Sequence, residues 1–189
     1  MAKLALLGGT PVRSGPFPSW PEFGEEEKRF LFLVLQGRSW GGYPSPNTYA
    51  RLFNERFAAF QGARYGMGAA NGTVSIELAL MAGGLRPGDE VIIPAYTWIG
   101  TASAVLCAQG IPIFVDSDPE TYCIDPTAFE AAITPRTKAV VPVHLGMEMA
   151  DMDAILPIAQ RHNLLVVEDC AHAHGAQWNG RGAGSLGHF

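Results

Sequence analysis

Leu164-Leu165-Val166-Val167 runs directly into Glu168-Asp169-Cys170-Ala171-His172. Four aliphatic residues followed at once by two acids read as a strand covered on both faces that delivers polar groups to one end, as interior strands of a parallel sheet do. Working outward, Val91-Ile92-Ile93, Ile111-Pro112-Ile113-Phe114-Val115 and Ala139-Val140-Val141 have the same near-continuous aliphatic character. Short apolar runs at about 65–70, 90–94, 111–115, 138–143 and 164–168 alternate with helical spacings at about 73–83, 98–109, 126–133 and 151–161. That alternation predicts right-handed βαβ units, hence an α/β fold with a mainly parallel sheet and helices on both faces. Pro112 and Pro142 have no N–H to give a ladder, so each is expected at a strand end or an edge.

Before this regular region the chain differs. Pro11, Pro16, Pro18 and Pro21 punctuate an extended arm, and Glu25-Glu26-Glu27 opens a helix to about Gln36, acids being favourable at the positive end of a helix. Arg38 to Asn47 is a loop by its Gly and Pro content. Leu52, Phe53, Phe57 and Phe60 then recur at helical intervals over Tyr49–Phe60.

Composition excludes several classes. A chain of 189 residues that is 48% hydrophobic has enough apolar material for a core and is not intrinsically disordered. A net charge of −5 without a basic cluster argues against nucleic acid as the main partner. No run approaches the roughly 18 apolar residues of a membrane span, and the first nine residues are too short an apolar run for a signal peptide. Cys107, Cys123 and Cys170 are odd in number and widely spaced, which points away from a disulfide framework and toward a reducing cytoplasm.

In such a sheet the ligand lies beyond the carboxyl ends of the strands. The five expected exits are Asn71-Gly72-Thr73, Pro94-Ala95-Tyr96-Thr97-Trp98, Asp116, His144-Leu145-Gly146 and Glu168-Asp169-Cys170-Ala171-His172. Gly72-Thr73 opens a helix directly after a strand, where free N–H groups and a hydroxyl suit a phosphate; the plainer reading is an N-cap. Trp98 is placed to stack on a planar ring or, alternatively, to pack a helix on the sheet. Asp169 beside Val166 and Val167 needs donors or a cation; it either caps the next turn or holds a heterocyclic nitrogen protonated. The glycines at 66, 68 and 72 are spaced one residue too widely for a dinucleotide loop, and no acid ends the second strand, so a nicotinamide site is rejected. His172-x-His174 near Cys170 raises a metal, but no second ligand cluster is evident and His144 stands alone, so none is expected.

Taken in order, Asn71-Gly72-Thr73, Pro94-Ala95-Tyr96-Thr97-Trp98 and Val167 through Ala176 resemble the DegT/StrS family of sugar and cyclitol aminotransferases. Gly88-Asp89-Glu90-Val91, Asp118 through Asp125 and Ala150 through Ile155 resemble its connecting segments. The resemblance implies a fold type I pyridoxal 5′-phosphate enzyme, with residues 1–50 as arm, helix and loop and 51–189 as part of the cofactor-binding large domain. It implies that Gly72 and Thr73 hold the cofactor phosphate, Trp98 stacks on the pyridine, Asp169 pairs with its nitrogen and His172 sits near its phenolic oxygen.

It further implies a keto-sugar or cyclitol ketone as acceptor, glutamate or glutamine as donor, and a homodimer with active sites at the interface, the Trp40–Asn47 loop being the candidate to line the pocket. Similar sequences carry the Schiff-base lysine soon after a segment like Gly184-Ser185-Leu186-Gly187. Lys3, Lys28 and Lys138 do not match it, so the chain as given is expected to form no such bond. Leu145 through Met149 departs from the family pattern, which often has an aromatic and a Gly-Arg-like turn there. A same-family dehydratase, with histidine for lysine, and a non-catalytic cofactor-binding regulator are the rival expectations.

Overall fold

The computed structural model describes residues 3–41 and 47–189, which divide into two compact units, 1–49 and 50–189. In the first, a turn at Ala5–Leu7 precedes an extended arm and helix α1 (Glu25–Gly37). Three glutamates fill the first turn of α1, and Glu27 reaches back to accept from the Gly24 N–H at 2.6 Å. None of this unit's described residues is buried. Of the loop expected over Arg38–Asn47, residues 42–46 lie outside the described residues.

Helix α2 (Thr48–Gln61) leads into the second unit. After it come α3 (Gly72–Ala82), β1 (Glu90–Pro94), α4 (Ile99–Cys107), β2 (Ile111–Val115), α5 (Pro126–Ala131), β3 (Thr137–Val140), α6 (Met152–Arg161) and β4 (Leu165–Val166). The four strands form one parallel sheet in the order β2-β1-β3-β4. Helix starts follow from short polar side chains: Asn71, Asp125 and Asp151 each accept a backbone N–H at the head of α3, α5 and α6.

Alternation along the strands divides the core in two. Ile92, Val140 and Val166 point to one face, where Phe129 of α5 and Met152 and Ile155 of α6 cover them. Val91, Ile93, Ala139, Val141 and Val167 point to the other, under Ile76 and Leu80 of α3 and Ala104 and Val105 of α4. Each fully buried aliphatic side chain contributes about 2 kcal/mol. Helices therefore lie on both faces, as the sequence pattern predicts.

Three local expectations are corrected. Residues 65–70 form no strand, because no other strand runs alongside them among the described residues. Neither β4 nor β2 is interior among the described residues: β4 borders β3 alone, and β2 is the opposite edge of the sheet, with Ile111 43% and Phe114 56% exposed. That edge is where Pro112 is tolerated. β3 stops at Val140 rather than 143, since Pro142 cannot donate; its carbonyl instead accepts from the Asp169 N–H at 2.9 Å, and Val143 bridges to Asp169. A two-stranded ribbon, β5 (Gln177–Trp178) with β6 (Arg181–Gly182), was not anticipated.

No helix among the described residues is long and apolar enough to cross a membrane.

Candidate active site

The carboxyl ends of parallel strands share one edge of the sheet, and the polar exits converge on it. Just past β4, Asp169 is held by its backbone: its N–H donates to Pro142 and its carbonyl accepts from the His144 N–H at 3.1 Å. Its buried side chain has two donors. Oδ2 accepts from the Thr101 hydroxyl at 2.8 Å, and Oδ1 accepts from the Ala171 N–H at 3.2 Å. The turn-capping alternative is thus true of one oxygen and leaves the other to Thr101. Each carboxylate oxygen retains a free lone pair for a further donor.

At the head of α3 the capping role belongs to Asn71. Its side chain accepts from the Val74 N–H at 3.0 Å, and its carbonyl from the Ser75 N–H at 3.0 Å. The first-turn N–H groups of Gly72 and Thr73, with the Thr73 hydroxyl, have no partner among the described residues. They form the positive end of an eleven-residue helix.

Trp98 is the residue before α4 and is 73% exposed. Packing of its ring into the sheet is therefore ruled out. Gly100 brings Trp98 and Thr73 together: a Cβ there would lie 2.7 Å from both Thr73 Oγ1 and Trp98 Cδ1. Only a glycine leaves that space open.

Gly72 and Asp169 line one cleft of about 330 Å³, with Phe57, Cys170, His174 and Gly184 on its walls. A groove of about 390 Å³ among Met67, Ala79 and Val167 includes neither. Thr73, Trp98 and His172 are not among the residues lining the cleft; the His172 Nδ1 accepts a long 3.4 Å hydrogen bond from the Gly146 N–H. His174 lines it instead and meets Phe57 edge-on, centroids 5.8 Å apart.

Beneath this rim is a pair that the sequence did not announce. His144 Nδ1 accepts from the Ala150 N–H at 3.1 Å, so the ring proton is on Nε2, which donates to Glu168 at 2.9 Å. Glu168 also accepts from the N–H groups of Gly184, Leu186 and Gly187. Burial raises the Glu168 carboxyl, but the hydrogen bonds from His144, Gly187 and Gly184 outweigh it and hold the carboxyl below its ordinary value. His144, Glu168 and Cys170 offer ligand atoms within 4.8 Å of one another. The two His144 nitrogens and both Glu168 oxygens are already committed within the protein, and burial pushes the Cys170 thiol up, away from the thiolate a metal needs. His144 is not alone, but its partners satisfy it without an ion.

Missed from the sequence were Thr101, Gly100, the Glu168–His144 pair and His174 as a cleft residue. The i, i+4 spacing of Thr97 and Thr101 was the one available signal for the first.

The model of the DegT/DnrJ/EryC1/StrS aminotransferase family matches residues 24–189. The chain is 54% identical over 186 residues to a putative L-glutamine:3-amino-2,3-dideoxy-scyllo-inosose aminotransferase of Streptoalloteichus tenebrarius, covering 98% of this chain and 45% of that protein. Among solved structures it is similar to 3-amino-5-hydroxybenzoic acid synthase, with 39% identity, a TM-score of 0.84, and 92% and 45% of the two chains covered. It is also similar to NtdA of Bacillus subtilis with bound cofactor PMP, with 39% identity, a TM-score of 0.72, and 80% and 35% covered. The chain thus spans less than half the length of the relatives it matches.

Proposed function

The chain belongs to the DegT/DnrJ/EryC1/StrS aminotransferase family, and on that premise we propose that it is part of a pyridoxal-phosphate-dependent enzyme that aminates a cyclitol or keto-sugar ketone. The relative from S. tenebrarius is named for glutamine as donor and an aminocyclitol ketone as acceptor. We assign glutamine, or glutamate, and a cyclitol of that kind to the whole protein here, in antibiotic or sugar biosynthesis. The whole protein is read as a cytoplasmic homodimer; the three cysteines are all free, which fits a reducing compartment.

The residues fit the cofactor. An uncommitted helix N-terminus suits a phosphate, a buried carboxylate with spare lone pairs suits a protonated ring nitrogen, and Gly100 leaves space between Thr73 and the exposed Trp98 ring. The chemistry supplied by pyridoxal phosphate is an electron sink for charge released at the carbon that loses or gains nitrogen. Gly72 and Thr73 bind the phosphate through N–H groups and the Thr73 hydroxyl. Trp98 offers its face to the ring. Asp169 holds the proton on the ring nitrogen, and His172 is the candidate beside the phenolic oxygen. Lys28 is paired with Glu25, and Lys138 is at the entry half of β3, so neither serves the rim.

One observation carries this reading: Gly72 and Asp169 face the same cleft. Fluorescence titration of the chain with pyridoxamine 5′-phosphate, which needs no lysine, tests it. Asp169→Asn and Thr73→Val are each expected to weaken binding about tenfold. Unchanged affinity in both variants would overturn the assignment. Borohydride reduction with pyridoxal phosphate is expected to leave Lys3, Lys28 and Lys138 without a stoichiometric adduct by mass spectrometry.

A further inference from the structure

Asp169 meets a buried hydroxyl 68 residues away. Thr101, 1% exposed in the first turn of α4, points its Oγ1 at Asp169 Oδ2 across 2.8 Å, and Thr97 Oγ1 is 3.0 Å from Thr101 Oγ1 on its other side. A threonine hydroxyl has one proton, and an ionised carboxylate only accepts. The Thr101 proton is therefore given to Asp169, and toward Thr97 it can only accept. The direction is set: Thr97 donates to Thr101, and Thr101 donates to Asp169. The same residue's N–H donates to the Trp98 carbonyl at 3.0 Å. One residue thus ties the backbone of the exposed aromatic to the side chain of the buried acid.

We propose that Thr101 is a positioning residue that sets Asp169 and Trp98 relative to one another, with Thr97 locking the direction of its hydroxyl, so that the acid's remaining lone pairs face the nitrogen of a pyridine ring held on Trp98. This rests on the reading of Asp169 given above. Mere attachment of α4 to the end of β4 would need a contact, not a polarised chain of two hydroxyls ending on a carboxylate. Removing the Thr101 hydroxyl leaves Asp169 with the Ala171 N–H as its one donor among the described residues and frees its side-chain torsion.

The test uses the whole chain with pyridoxamine 5′-phosphate labelled with ¹⁵N in the ring. The ring-nitrogen shift is followed against pH by NMR, affinity by fluorescence, and folding by thermal melting. Thr101→Val is expected to weaken binding about tenfold and move the ring-nitrogen titration about one pH unit lower, while Thr101→Ser stays close to the parent. Thr97→Val is expected to shift the titration in the same direction by a smaller amount. Affinity for inorganic phosphate should be the same in all. A Thr101→Val chain with parental affinity and shift, alongside an Asp169→Asn chain that loses both, overturns the role of Thr101 and leaves that of Asp169 standing. Parental behaviour in Asp169→Asn overturns the reading beneath it. Should Thr101→Val not fold, a parental titration in the more exposed Thr97→Val overturns the proposal.

Discussion

Glu168, which lines the cleft, and His144 lie 2.9 Å apart, and neither side chain reaches solvent. Through Glu168 the last strand of the sheet holds the turn at 184–187, because its two oxygens accept from three N–H groups of that turn. Glu168→Gln replaces one acceptor oxygen by a donor facing N–H groups, which is expected to cost about 3 kcal/mol in urea unfolding.

The pH dependence of that stability follows from the depressed Glu168 carboxyl. A carboxyl lower in the folded than in the unfolded chain contributes stability that is complete above the unfolded value, about 4.3. The contribution is lost as pH falls from there through the lowered folded value. Urea midpoints measured between pH 7 and pH 3 are expected to converge for the parent and Glu168→Gln at the acid end. Parallel curves would refute this.

Gly100→Ala puts a methyl group 2.7 Å from Thr73 Oγ1 and Trp98 Cδ1. The exposed indole has room to turn, so the Thr73 hydroxyl and the α4 backbone take most of the strain. A loss of about 1–2 kcal/mol in stability is expected, with weaker pyridoxamine phosphate binding. Retained affinity by fluorescence titration would show that this space is not used.

The three thiols are expected to differ sharply toward an aromatic disulfide reagent. Cys107 is exposed, whereas burial raises both Cys123 and Cys170. One thiol per native chain, replaceable by Cys107→Ser, and three after denaturation is the expected count by absorbance.

The sheet was legible because its strands are aliphatic runs separated by helical spacings, a pattern that repeats within a few residues of chain. Where pairing depended on a neighbour, the pattern was not enough. Ile111 through Val115 looks as apolar as Val91 through Ile93, yet one strand is an edge and the other is interior. The β5–β6 ribbon has its signal in Asn179-Gly180, both with positive φ, in a two-residue turn. At the site, Gly72, Thr73, Trp98 and Asp169 were named because each stands at a strand exit or helix start. Thr101 was not, since its one local signal, the i, i+4 spacing from Thr97, does not show that its hydroxyl faces an acid 68 residues on.

By itself, then, the order of residues determined the α/β class, the rim where polar groups gather and the kind of group each exit presents, because these depend on periodicity and on local backbone chemistry. Tertiary structure alone decided which strands lie at the edges, that Gly72 and Asp169 share a cleft, and that Thr101 and His144 each hold a carboxylate. Those are contacts between distant segments, and their geometry is set by how the two faces of the sheet are packed rather than by any short run of sequence.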